Sequence, residues 1–172
     1  MTTKHKTKEQ PVAEAPEAVP APETQTAGAE KPAPAPGRNY GPDAAVSLAL
    51  VLMMNAPGYR NLFLAELEWV LFPPILTKQY KLYFQGKKPV GFVAWARVSP
   101  EVDARLKAGH ARLKPQEWTS GDIYWLIHSI TPFGGGDGIL EDVKKTVLAG
   151  MTFQVYRLGA SGITIETFRG DE

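Results

Sequence analysis

Cysteine is absent from the 172 residues. That absence excludes a disulfide framework, a thiolate nucleophile, a dithiol redox pair and a thiolate zinc site. Histidine is scarce, with three residues (His5, His110 and His128), which leaves little room for a histidine-rich metal centre. An excess of one charge is also missing, since 19 Lys and Arg face 18 Asp and Glu for a formal net charge of +1. A duplex nucleic-acid binder needs a clear cationic surplus to displace counterions, so no nucleic-acid partner is expected. Long hydrophobic runs are lacking too. The most apolar stretch, Ala44 to Met54, spans about eleven residues, too few to cross a bilayer, so no membrane span is expected.

What is present divides near residue 42. Residues 1–42 hold eight of the fifteen prolines, many alanines, and five acids against five bases. The only larger aliphatic residues there are Met1, Val12 and Val19, too little apolar surface to offset the entropy of ordering, so a disordered tether is expected. The Ala-Pro units around Pro20–Pro22 and Pro32–Pro36 favour extended geometry. The lysine-rich start (Lys4, Lys6, Lys8) is followed by no apolar core of a secretory signal, and a cytoplasmic location is the expectation. Residues 43–172 then form the expected folded domain, long enough to bury a core.

Within that domain Asp43 is a candidate N-cap for a buried helix over Ala44 to Met54. Pro57-Gly58 breaks the chain, and Leu62 to Phe72 resumes a helical pattern that Pro73-Pro74 should end. Alternation predicts strands at Tyr80–Phe84 and Pro89–Val98, joined through Gly86-Lys87-Lys88. Ser99-Pro100-Glu101 opens a further helix, and a short one starts near Lys114–Glu117. Ile123–Ile130 reads as a central strand and Ile139–Leu148 as a helix. Thr152–Leu158 and Ile163–Phe168 read as a final hairpin turning at Gly159–Gly162. This order implies an α/β domain on a mixed, mostly antiparallel sheet flanked by helices.

Generic motifs say little about chemistry. Gly134–Gly138 lacks both the Gly-Lys-Ser/Thr ending of a phosphate loop and the spacing of a dinucleotide fingerprint; it reads as a flexible turn, with a ligand-approach loop as the alternative. No metal-ligand spacing occurs, and His110 reads as a charge at a helix end. His128, mid-strand, is either a buried hydrogen-bonded structural histidine or a catalytic one.

A longer constellation adds to this reading. Trp118-Thr-Ser-Gly-Asp122, followed by Trp125 and Pro132-Phe-Gly134, resembles the W-x-S-G-D-x-x-W…P-F-G signature of the RTX toxin-activating lysine acyltransferases. Pro57 with Arg60-Asn61, Pro73-Pro74, Gln79-Tyr80, Pro89-Val-Gly-Phe92 and Trp95-Ala96 extend the resemblance over Asp43 to Arg169. It implies a GNAT-like acyltransferase fold. It also implies transfer of a fatty acyl group from acyl carrier protein to internal lysines of an RTX-type protoxin, with acyl-ACP as donor and no bound cofactor or metal. A homodimer is compatible with the sequence.

In that family a serine and a histidine of an S-P-x-H-R-N segment, and an aspartate on the strand before P-F-G, are assigned to the reaction. Here Ala56, Tyr59 and His128 stand at those three positions. Two readings follow. In one, acyl transfer persists with a rebuilt catalytic pair: His128 is the general base, its ordinary pKa near 6.5 suiting work near neutrality, and Tyr59 hydrogen-bonds it or donates to the oxyanion. In the other, the chain is a pseudoenzyme kept as a binding module. Arg60, Asn61, Asp122 and Trp125 are the candidate residues for binding the acyl carrier or the substrate. The plain alternatives are a salt bridge for Arg60, turn ordering for Asp122 and core packing for Trp125.

Overall fold

The computed structural model describes residues 40–159 and 162–171. The tail expectation, apart from residues 40–42, therefore lies outside the described residues. Helix α1 (Pro42–Asn55) places Pro42 in its first turn, where a missing N–H costs nothing. The cap position is consequently Gly41, and Asp43, expected at the cap, lies in the first turn facing the helix dipole. Ala45, Ala49, Leu52 and Met53 bury one side of α1.

The next segment differs from expectation. Rather than one helix ending at Pro73, it is a 3-10 turn (Leu64–Glu66), a short α2 (Leu67–Val70) and a separate α3 (Phe72–Leu76). Pro73 and Pro74 fall in the first turn of α3, so the pair starts a helix, for the same reason that Pro42 does. The expected hairpin follows as β1 (Tyr80–Gln85) and β2 (Lys88–Val98). Helix α4 (Pro100–Lys107) has Ser99 Oγ accepting from Val102 N at 3.4 Å, acids in its first turn and bases in its last. A 3-10 turn (Pro115–Trp118) leads to β3 (Ile123–Ile130).

Between them Gly121 carries the chain past β2 with no room for a side chain: a Cβ there would lie 2.4 Å from the Val98 carbonyl oxygen. After β3, Gly134 and Gly135 (φ 86° and 81°) turn the chain into α5 (Gly136–Asp142), which runs on as one π-helical turn, Val143–Val147. Strands β4 (Thr152–Gly159) and β5 (Gly162–Arg169) pair as the expected hairpin; Ala160 and Ser161 of its turn lie outside the described residues.

The strands form one sheet in the order β1-β2-β3-β4-β5. All neighbours are antiparallel except β3 and β4, which are parallel and joined through α5. This is the expected mixed, mostly antiparallel sheet flanked by helices. One face is covered by α1 to α4 with Trp118, Trp125 and Phe92 in its core. The other is covered by α5, with Leu126, Ile139, Val143 and Phe153 beneath it. Among the described residues no helix is long and apolar enough to cross a membrane, and no group of three or more His, Asp or Glu is placed to hold a metal ion.

Candidate active site

A β-bulge in β3 builds the site. Ala94 of β2 pairs with His128, but its neighbour Trp95 pairs with Leu126, so Ile127 is an extra residue. Strict alternation from Trp125 and Ile127 would turn His128 toward α5. The bulge instead puts Ile127 and His128 on the face covered by α1 to α4. There the His128 ring meets the Trp118 ring, centroids 5.9 Å apart, and the edge of Tyr59.

Tyr59 arrives from the turn after α1. Ala56, buried at the helix end, accepts backbone bonds from Tyr59 N (3.0 Å) and Arg60 N (3.1 Å), folding the chain back so that the phenol points inward. Its hydroxyl lies 3.1 Å from His128 Nδ1. Which group donates depends on the tautomer. With the proton on Nδ1, the ring donates to the phenol oxygen, Nε2 is left as a base, and the Tyr59 O–H is free to donate elsewhere.

Burial sets both protonation states. Desolvation pushes His128 down to about 4, so the imidazole is neutral at neutral pH. The same cause pushes Tyr59 up to about 12, so the phenol keeps its proton. Nearby, Trp118 Nε1 and Gln79 Oε1 are buried with no hydrogen-bond partner among the described residues, while Gln79 Nε2 donates to the Trp118 carbonyl at 3.0 Å. Buried polar atoms are nearly always paired, so this donor and acceptor mark the surroundings of His128 as a place a ligand or water completes.

The other candidates fall into two groups. Arg60 and Asn61 are exposed beside Tyr59, and the salt bridge that was the plain alternative for Arg60 is not among the ion pairs of the described residues. Asp122 is exposed at the entrance to β3. Trp125 is fully buried: its ring lies 5.1 Å from that of Tyr156, and its Nε1 donates to Asp103 Oδ1 at 2.9 Å. Asp103 also accepts from Gln154 (2.9 Å) and Lys107 (2.7 Å). Burial raises its pKa, but bonds from Lys107, Trp125 and Gln154 outweigh that and hold it below the usual carboxylate range. Trp125 thus ties β3 to α4 and β4 and does not open onto the His128–Tyr59 pair.

A cleft lies where β3 and β4 part. Their parallel ladder covers only Tyr124–Leu126 against Phe153–Val155, and beyond the bulge the strands are unpaired. The space between them, about 280 Å³, is lined by Leu126, Leu140 and Val155 with Ser129, Tyr156 and Arg157 among its polar walls. Sequence reasoning did not reach this cleft or the partnering of Trp118 with His128. A bulge leaves no composition signal, and a tryptophan within a motif does not show which ring it will pack against.

Residues 44–169 match the model of HlyC, the RTX toxin acyltransferase family. The chain belongs to this family. It is 30% identical over 107 residues to the leukotoxin-activating lysine-acyltransferase LktC of Pasteurella haemolytica-like sp. (strain 5943B), covering 62% of this chain and 64% of that one. It is 30% identical over 109 residues to the protein-lysine myristoyltransferase RtxC of Kingella kingae, covering 63% and 65%. It is 31% identical over 121 residues to the leukotoxin-activating lysine-acyltransferase LtxC of Aggregatibacter actinomycetemcomitans, covering 69% and 71%. The chain spans just under two thirds of the length of the first two relatives.

Proposed function

We propose that the chain transfers a fatty acyl group from acyl carrier protein to a lysine of an RTX-type protoxin, with His128 as general base and Tyr59 as its partner. The observation that carries this reading is the 3.1 Å contact between the Tyr59 hydroxyl and His128 Nδ1. Two residues that replace the family's histidine and aspartate meet each other, 69 positions apart in sequence, instead of drifting apart.

The chemistry follows from that pair. His128 Nε2 takes a proton from the lysine amine as its nitrogen attacks the thioester carbonyl. Nδ1–H donates to the Tyr59 oxygen, which holds the ring in the tautomer with a bare Nε2. The Tyr59 O–H donates to the oxyanion of the tetrahedral intermediate. Collapse breaks the C–S bond, and the proton held on Nε2 goes to the leaving thiolate, giving an amide and a free carrier thiol. The β3–β4 cleft is lined by Leu126 and Ser129, the residues on either side of the Ile127–His128 bulge. The parting of the strands there supports it as the path by which the carrier's thiol arm passes between them toward His128. A parallel strand pair splayed beside a bulge is also what supports the GNAT-like description. Exposed Arg60 and Asn61, beside Tyr59, suit binding of the carrier or the substrate, with Asp122 at the β3 entrance and Trp125 bracing the strand.

The test is to incubate the purified chain with an acyl carrier thioester and a lysine-bearing RTX-type protoxin and to read lysine acylation by mass spectrometry. The proposal expects acylated lysine with the wild type. Carrier or protoxin binding without any transfer would establish the pseudoenzyme reading instead.

A further inference from the structure

A second concavity lies on the same side of the sheet as His128. Trp69, Arg105, Arg112 and Lys114 line a notch of about 300 Å³. It adjoins the 3-10 turn Pro115–Trp118, whose last residue is the tryptophan that packs on His128. The notch and the Tyr59–His128 pair therefore flank one four-residue turn.

Its charges are arranged for an anion. Arg105 is neutralised within the protein, its guanidinium forking onto both oxygens of Glu117. Arg112 has no such partner among the ion pairs of the described residues and is exposed. Lys114, also exposed, helps to lower the Glu117 pKa through its charge but forms no ion pair with it, so the cluster keeps a cationic excess. The Arg112 guanidinium is stacked on the Trp69 ring, 4.5 Å from its centroid. Stacking fixes the plane of the group while leaving its N–H edge to meet a carboxylate in two parallel bonds. Leu113, buried between these two cations, pins the loop that carries them.

Resting on the acyl-transfer reading, we infer that the notch formed by Trp69, Arg112 and Lys114 binds acidic side chains flanking the acceptor lysine, so that the preferred acceptor is a lysine set among Asp or Glu. The side of the sheet decides for the acceptor over the donor. The cleft suited to the carrier arm lies between β3 and β4 under α5, whereas the notch is on the opposite, α1-to-α4 face, from which an acceptor reaches Tyr59 and His128. Carboxylates on either side of a lysine would occupy the notch while the lysine stem passes Trp118.

The test uses the full chain and two short capped peptides, one with a lysine flanked by glutamates and one with the same lysine flanked by glutamines. Binding is followed by titration calorimetry at low and at high salt. The acidic peptide is expected to bind about tenfold more tightly at low salt, with the difference shrinking at high salt. Arg112→Glu with Lys114→Glu is expected to abolish the preference, and the milder Arg112→Gln with Lys114→Gln to reduce it, without change in circular dichroism. Equal binding of the two peptides, binding of neither, a preference that survives charge reversal, or displacement of the acidic peptide by acyl carrier protein would each overturn the inference. The readout needs no turnover, so loss of acyl transfer would sink the catalytic reading alone.

Discussion

His128 is a histidine that burial keeps neutral far below its ordinary range, at about 4, while Tyr59 beside it is held protonated up to about 12. Burial thus overturns the expectation of a base titrating near 6.5: the ring is free to accept a proton at any pH above about 4, as a weaker base than an ordinary imidazole. The acidic limb of kcat/KM is therefore expected near pH 4 to 5, and a limb near 6.5 would mean that the ring titrates as if solvated. Tyr59→Phe keeps the ring in place and removes both the acceptor for Nδ1–H and the oxyanion donor. A fall in kcat of about 10²-fold is expected, with the acidic limb unmoved because desolvation, not the phenol, sets it. The identity of this pair was legible in the sequence through the resemblance, as residues standing at the family's functional positions. The expected Tyr59–His128 hydrogen bond is there, but the device that makes it was not legible, because it depends on one inserted residue, Ile127, turning His128 to the other face.

At the scale of elements, the motif residues sort into those that pack and those that act. Gly121 of the Trp-Thr-Ser-Gly-Asp segment is a packing residue, since a Cβ would meet backbone atoms, Val98 O at 2.4 Å and Ser99 Cα at 2.7 Å, neither of which can rotate away. Gly121→Ala is expected to cost about 1–3 kcal/mol and to lower Tm by several degrees in a thermal scan. Gly58→Ala, where nothing lies within 4 Å, should leave Tm unchanged. Strand β3 and the first hairpin were readable from alternation and turn residues, because those signals are local. The Pro73-Pro74 pair misled because proline is silent about whether it ends one helix or begins the next. Only the packing of Leu71 and Ile75 into the core settles that.

For the whole molecule, the half-buried, desolvated histidine makes stability depend on pH in a definite window. The folded-state pKa of His128, about 4, lies below the unfolded value near 6.5, so the unfolded chain takes up the proton first as pH falls. The stabilising contribution is thus complete above about pH 6.5 and is lost progressively toward pH 4, on the order of 2–3 kcal/mol at most. Asp103 and Glu117, both held below the usual carboxylate range, add a separate loss at lower pH. Denaturation midpoints from pH 7 to 4 should therefore fall more steeply for the wild type than for His128→Gln; equal slopes would mean that His128 is not buried neutral. The measurement that reaches furthest into the account is the single-turnover rate of acyl transfer from acyl carrier protein to a lysine-bearing RTX-type protoxin, compared between wild type and His128→Ala. The account predicts transfer by the wild type and a loss of about 10²- to 10⁴-fold in the variant, with carrier binding retained. A His128→Ala rate within about twofold of wild type would contradict it.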